Sequence, residues 1–136
     1  MTPPPPTRDE IQNLLGIARR SLADAAVGGV SPDGRFELSY AAALAAATAA
    51  LRSEGERIHG SDHHRLTFDA LLGAAAGRWS ETARFLQHCR GRRNAALYDR
   101  PGLVSAGEAE DLRRTAEQLV AEVERWLREA HPDLAP

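Results

Sequence analysis

The sequence has no lysine and a single cysteine, Cys89. A lone cysteine excludes an intrachain disulfide, so nothing points to an oxidising compartment. Aromatic residues make up only 5% of the chain. Leu, Ala and Val must then supply the core, which favours helices packed at close range over a sheet sandwich. No apolar run approaches the ~20 residues that a membrane-spanning helix needs. The opening Met1-Thr2-Pro3-Pro4-Pro5-Pro6 lacks the positive region and the apolar stretch of a signal peptide. The expectation is a soluble, cytoplasmic protein with no membrane partner.

Excess charge is also lacking. The formal net charge is −2 over 136 residues, so the whole molecule carries no electrostatic signature of nucleic-acid binding. All the fixed positive charge is Arg, and Arg and Ala together read as GC-rich codon usage. Only local clustering of Arg is informative.

The length suits one domain. Residues 1–6 read as a flexible Pro-rich tail, 7–130 as the folded domain and 131–136 as a C-terminal tail. Thr7 with Glu10 has the spacing of a capping box. Ile11, Leu14, Leu15, Ala18, Leu22 and Ala25 then form one helical stripe, which Gly28-Gly29 stops. Ser31-Pro32-Asp33-Gly34 opens a second helix with Phe36, Tyr40, Leu44, Ala47 and Leu51 on one side. Its small run Ala41–Ala50 allows close approach of a neighbour. The reading continues with a polar connection over 59–66, a short helix over Thr67–Ala76 and a break at Gly77. Ser80 and Glu81 start a longer helix that ends near Tyr98 or Asp99, before Pro101-Gly102. Ser105 with Glu108 is a second capping box. It opens a last helix with Leu112, Ala116, Leu119, Val120, Val123, Trp126 and Leu127 on its apolar face, closed by His131-Pro132. The fold class expected is all-α: an up-and-down four-helix bundle with an additional short helix.

Few chemical motifs stand out. His59, His63 and His64 share a segment with Gly60, Ser61 and Asp62, and no Cys pair accompanies them. They read as solvated loop histidines, and no metal site is expected. The glycines form no phosphate loop, and no cofactor is expected. Cys89 reads as a small core residue. The Arg-crowded stretch from Arg90 to Arg100 is different. At ~100° per residue, Phe85, Leu86, Cys89, Ala96 and Leu97 share an apolar stripe, and Arg93 falls inside it. Arg90, Asn94 and Tyr98 lie along one edge. A guanidinium aimed at a bundle interior needs a partner carboxylate or an aqueous cleft. The simplest partner is a Glu or Asp of a neighbouring helix. Arg90, Arg92, Arg93 and Arg100 together also repel one another unless an anion such as phosphate sits nearby.

The segment Arg90-Gly91-Arg92-Arg93-Asn94-Ala95-Ala96-Leu97-Tyr98-Asp99 resembles the signature helix of the HEPN superfamily. Arg35-Phe36-Glu37-Leu38-Ser39-Tyr40-Ala41-Ala42-Ala43-Leu44 resembles that family's second helix. The resemblance covers most of residues 7–130. It implies a helical bundle that usually forms a homodimer or pairs with a related chain. It further implies RNA or nucleotide as ligand, metal-independent ribonuclease activity, and a toxin–antitoxin or defence setting with a nucleotidyltransferase-type or antitoxin partner. The family motif is Arg, four to six residues, then His, often with Asn after the Arg. Arg93 and Asn94 match it, and Tyr98 occupies the His slot. On this resemblance Arg93, Asn94 and Tyr98 are the catalytic candidates, and Arg90, Arg92 and Arg100 the RNA- or nucleotide-binding ones. Tyr98 is a departure with a chemical consequence. Imidazole exchanges protons near ~6.5 and phenol only near ~10. The departure favours a non-catalytic module that binds RNA, nucleotide or a partner protein. His88 is a substitute base on the same helix, but its direction is away from Arg93. A purely structural or protein-interaction bundle is the third reading.

Overall fold

The computed structural model describes residues 2–98 and 101–136, without the side chain of Tyr98. Among the described residues there are five α-helices and no strand: α1 (Arg8–Ala25), α2 (Pro32–Ser53), α3 (His63–Gly73), α4 (Ser80–Tyr98) and α5 (Ala106–Ala130). The all-α expectation holds. None of these helices is long and apolar enough to cross a membrane.

The helix starts follow their capping chemistry. Thr7 Oγ1 accepts from Glu10 N at 3.2 Å, Ser31 Oγ from Gly34 N at 3.0 Å, and Ser105 Oγ from Glu108 N at 3.1 Å. Only the last is a full capping box, with Glu108 accepting in turn from Ser105 N. At the start of α1 the main partner of Glu10 is not its cap. Glu10 leaves the helix end for Arg52 of α2, which donates from Nε and Nη2 at 2.9 and 3.0 Å.

The central element is α2, which packs along α1 and α5 and also meets α3 and α4. A helix surrounded on so many sides can carry no wide polar face. Ala42, Ala43, Ala45, Ala46, Ala47, Ala49 and Ala50 are all buried, and their small side chains let the neighbouring backbones come close. The α1 stripe of Ile11, Leu15, Ala18, Leu22 and Ala25 faces this core. The α5 stripe from Leu112 to Leu127 does the same. Trp79 meets Trp126 edge to face at 5.3 Å, and its indole N–H is satisfied by Glu122 at 3.1 Å.

Two expectations need correction. The segment 59–66 is not all connection, because α3 begins at His63. At its other end α3 stops at Gly73, and a tight 3-10 turn, Ala74–Gly77, replaces the last residues assigned to it. Ala75 and Ala76 there adopt left-handed φ values of 49° and 60°. Both terminal segments make contacts with the helices. Pro4 O accepts from Arg52 Nη2 at 3.0 Å. The C-terminal residues Leu134 and Ala135 are buried, with their carbonyls held by Gln12 and Arg8 of α1.

Candidate functional site

The first turn of α3 lies against the fourth turn of α4, and between them opens a cleft of about 230 Å³. Ser61, Asp62, His63, His64 and Arg65 line one wall, and Arg90, Arg93 and Asn94 the other. Polar side chains fix the two walls together. Gln87 of α4 donates to Arg65 O at 2.9 Å and to Asp69 Oδ1 at 2.7 Å. Gln87 Oε1 accepts from Arg90 Nε at 3.0 Å, which orients that guanidinium. Arg65 is held by Asp62 and Asp69.

Arg93 turns toward α2, as its place in the apolar stripe requires. Nε and Nη2 donate to both carboxylate oxygens of Glu37, at 2.9–3.1 Å. The carboxylate partner expected on a neighbouring helix is therefore Glu37. The guanidinium carbon also sits 4.9 Å from the centroid of the Tyr40 ring, a cation–π contact. Arg93 Nη1 makes no hydrogen bond to the described residues. Arg90 has no carboxylate within ion-pair distance among the described residues. Asn94 is exposed at the cleft wall.

Tyr40 connects the two walls from below. Its ring packs edge to face on Phe68 of α3 at 5.8 Å, and its hydroxyl lies 3.1 Å from His64 Nδ1. Burial pushes the phenol up to about 12, so it stays protonated. His64 is half-buried. Burial, the adjacent His63 and the charge of Arg93 hold its imidazole below the ordinary 6.5. The His63 and His64 rings meet edge to face at 4.4 Å. His63 Nδ1 lies 3.1 Å from Gly60 O. A carbonyl can only accept, so Nδ1 carries the proton and donates.

The structure regroups the predicted residues. Arg90, Arg93 and Asn94 come together. Arg92 does not join them: it points to the other side of α4, where Nε and Nη2 hold Glu108 at 2.8 and 2.9 Å and Nη2 also reaches Leu103 O at 3.3 Å. The reason is the capping box of α5, which sets the Glu108 carboxylate beside that face. Arg100 and the side chain of Tyr98 lie outside the described residues. Leu97 is 49% exposed rather than packed. His88 is exposed on the Arg92 side, beside Cys89 and Glu108, as its helical direction predicts. Cys89 is buried, and burial pushes its thiol up to about 12, so it is a core residue and not a nucleophile.

Sequence reading missed His63, His64 and the pairing role of Glu37. Asp62 is the N-cap of α3 but makes no side-chain cap. No group of three or more His, Cys, Asp or Glu among the described residues is placed to hold a metal ion.

The sequence model of the SAV_6107-like HEPN family matches residues 26–124, a span that includes both walls of the cleft. No curated protein and no solved structure matches the chain.

Proposed function

The chain belongs to the SAV_6107-like HEPN family, and from that premise we propose that the α3–α4 cleft binds RNA or a nucleotide through phosphate. The observation that carries this reading is the guanidinium of Arg90, held in place by Gln87 and without a carboxylate partner among the described residues, beside the exposed amide of Asn94 and an Arg93 Nη1 that none of the described residues takes. Guanidinium and amide donors converging on one pocket match the oxygens of a phosphate group. Binding dominated by such contacts weakens steeply with salt.

The finer reading is a metal-independent ribonuclease of a toxin–antitoxin or defence system. In it Arg93 and Asn94 stabilise the charge that develops on phosphorus, Tyr98 handles protons and Arg100 binds the flanking RNA backbone. HEPN domains commonly dimerise. The exposed Leu97, one turn beyond Arg93, is an apolar group that a second copy of the chain would cover. A cytoplasmic location fits an RNA ligand.

One observation favours a second reading. The two-pronged grip of Arg93 on Glu37 is what a structural ion pair between α4 and α2 requires. The two readings separate in one set of assays on the full chain: RNA binding and RNA cleavage, with and without chelator, for wild type, Arg93→Ala and Tyr98→His. Loss of binding in a folded Arg93→Ala variant supports the cleft. Cleavage that resists chelator and rises in Tyr98→His supports the nuclease. An Arg93→Ala variant that only loses stability leaves Arg93 a structural residue.

A further inference from the structure

We propose that His64 is the proton-exchanging group of the cleft, and that its Nε2 takes a phosphodiester oxygen of bound RNA. This rests on the reading of the cleft as a phosphate site and adds the residue that completes it, supplied by α3 rather than by α4.

The geometry is specific. His64 lines the cleft opposite Arg90, Arg93 and Asn94. Its Nδ1 is engaged by the Tyr40 hydroxyl at 3.1 Å, and its Nε2 has no partner among the described residues. The ring is not free to turn away. Tyr40 is buried, wedged between Phe68 and the Arg93 guanidinium, and the His63 ring meets the His64 ring edge to face. A hydroxyl partner also suits a group that changes charge. The Tyr40 O–H donates to Nδ1 when the imidazole is neutral, and its oxygen accepts from Nδ1–H when the imidazole is charged. Either state keeps the same ring position.

The charged and titratable neighbours set the direction of the effect. From α2 they are Tyr40 and Glu37; from α4, Arg93 and Arg90; from α3 and the residue before it, His63, Arg65 and Asp62. Without ligand, burial and the positive groups favour the neutral imidazole. An anion in the cleft adds negative charge beside Nε2 and favours the imidazolium. Binding therefore takes up a proton, and affinity rises as pH falls through the value His64 has in the complex. It levels off below the lower value His64 has in the free protein. A histidine that only packs α3 onto α2 would show neither effect.

The test uses the full chain and a short unlabelled single-stranded RNA, whose phosphodiesters do not titrate between pH 5.5 and 8. Calorimetry in two buffers of different ionisation enthalpy counts protons taken up, and NMR follows the imidazole resonances, with the His64 signal identified by its loss in His64→Gln. The expected result is proton uptake near pH 6.5 and affinity roughly tenfold higher at pH 5.5 than at pH 7.5, as one coupled titration allows. RNA should raise the midpoint of the His64 resonance. His64→Gln should lose both the uptake and the pH dependence, and His88→Gln, on the far side of α4, should keep them. The wild-type NMR titration decides the question even where His64→Gln unfolds. Binding that depends on Arg90 but is indifferent to pH, or a His64 midpoint that RNA leaves unmoved, overturns the role of His64 alone. Absence of RNA binding in wild type overturns the reading of the cleft itself, and the role of His64 with it.

Discussion

Arg93 on α4 and Glu37 on α2 are joined by two parallel prongs, Nε and Nη2 to the two carboxylate oxygens, at 2.9–3.1 Å. Arg93 is only 20% exposed at its side chain and Glu37 39%, so solvent screens the pair on one side only. The carboxylate compensates the charge of the guanidinium whose Nη1 a bound phosphate would meet. Glu37 therefore both positions Arg93 and weakens its hold on an anion. The account predicts opposite effects of Glu37→Gln on two measurements. Stability should fall by about 1 kcal/mol, the upper range for a partly exposed pair. RNA affinity should rise several-fold, because a neutral amide leaves the Arg93 charge uncompensated. Denaturant titration and RNA binding on the same preparation check this.

A second prediction concerns the turn between α3 and α4. Ala75 and Ala76 both have positive φ, where a Cβ crowds the following carbonyl at a cost of roughly 1–2 kcal/mol per residue. Glycine carries no such penalty but is freer when unfolded. Ala76→Gly should stabilise the fold by about 0.5–1 kcal/mol, read as a higher denaturant midpoint at unchanged slope. Destabilisation would mean that the turn is not held in the left-handed conformation.

The third prediction follows the buried end of α2. Arg52 is 3% exposed and its Nη1 has no partner, so Glu10 carries nearly the whole task of compensating that charge. Hydrogen bonding from Arg52, opposed by some burial, holds the Glu10 carboxyl below its ordinary 4.5. Its contribution is then fully present above 4.5 and is lost as pH falls through the lower value of the folded state. Glu10→Gln should cost on the order of 3 kcal/mol at pH 7, the cost of leaving a buried charge without its counter-charge. The gap between variant and wild type should narrow below pH 4. Equal stability of the two proteins at pH 7 would contradict the role assigned to this pair.

Much of the fold could be read from residues because local chemistry decides it. Thr7, Ser31 and Ser105 marked three helix starts, and the apolar stripes of α1 and α5 faced the core as their spacing required. The site was less legible because its pairings span distant segments. Arg93 announced itself as a charge in an apolar stripe, but nothing local chose Glu37, 56 residues earlier, as its partner. Arg92 seemed equivalent to Arg90 in a cluster one turn long, yet Glu108 draws it to the opposite side. The histidines at 63 and 64 looked like loop residues because the segment around them is polar throughout. Only the docking of α3 on α4 through Gln87 puts them beside Arg90.

Two neighbouring guanidiniums give the sharpest comparison. Arg90 and Arg92 differ by two positions but point to opposite sides of α4, Arg90 into the cleft and Arg92 onto Glu108. RNA binding should be measured for wild type, Arg90→Ala and Arg92→Ala at one fixed salt concentration. If the cleft is the phosphate site, Arg90→Ala should weaken binding about tenfold, as loss of a guanidinium–phosphate contact does, and should flatten the salt dependence by about one phosphate contact. Arg92→Ala should lower stability and leave the affinity of the folded protein within about twofold of wild type. Equal losses of affinity in the two variants, or a loss confined to Arg92→Ala, would contradict the account.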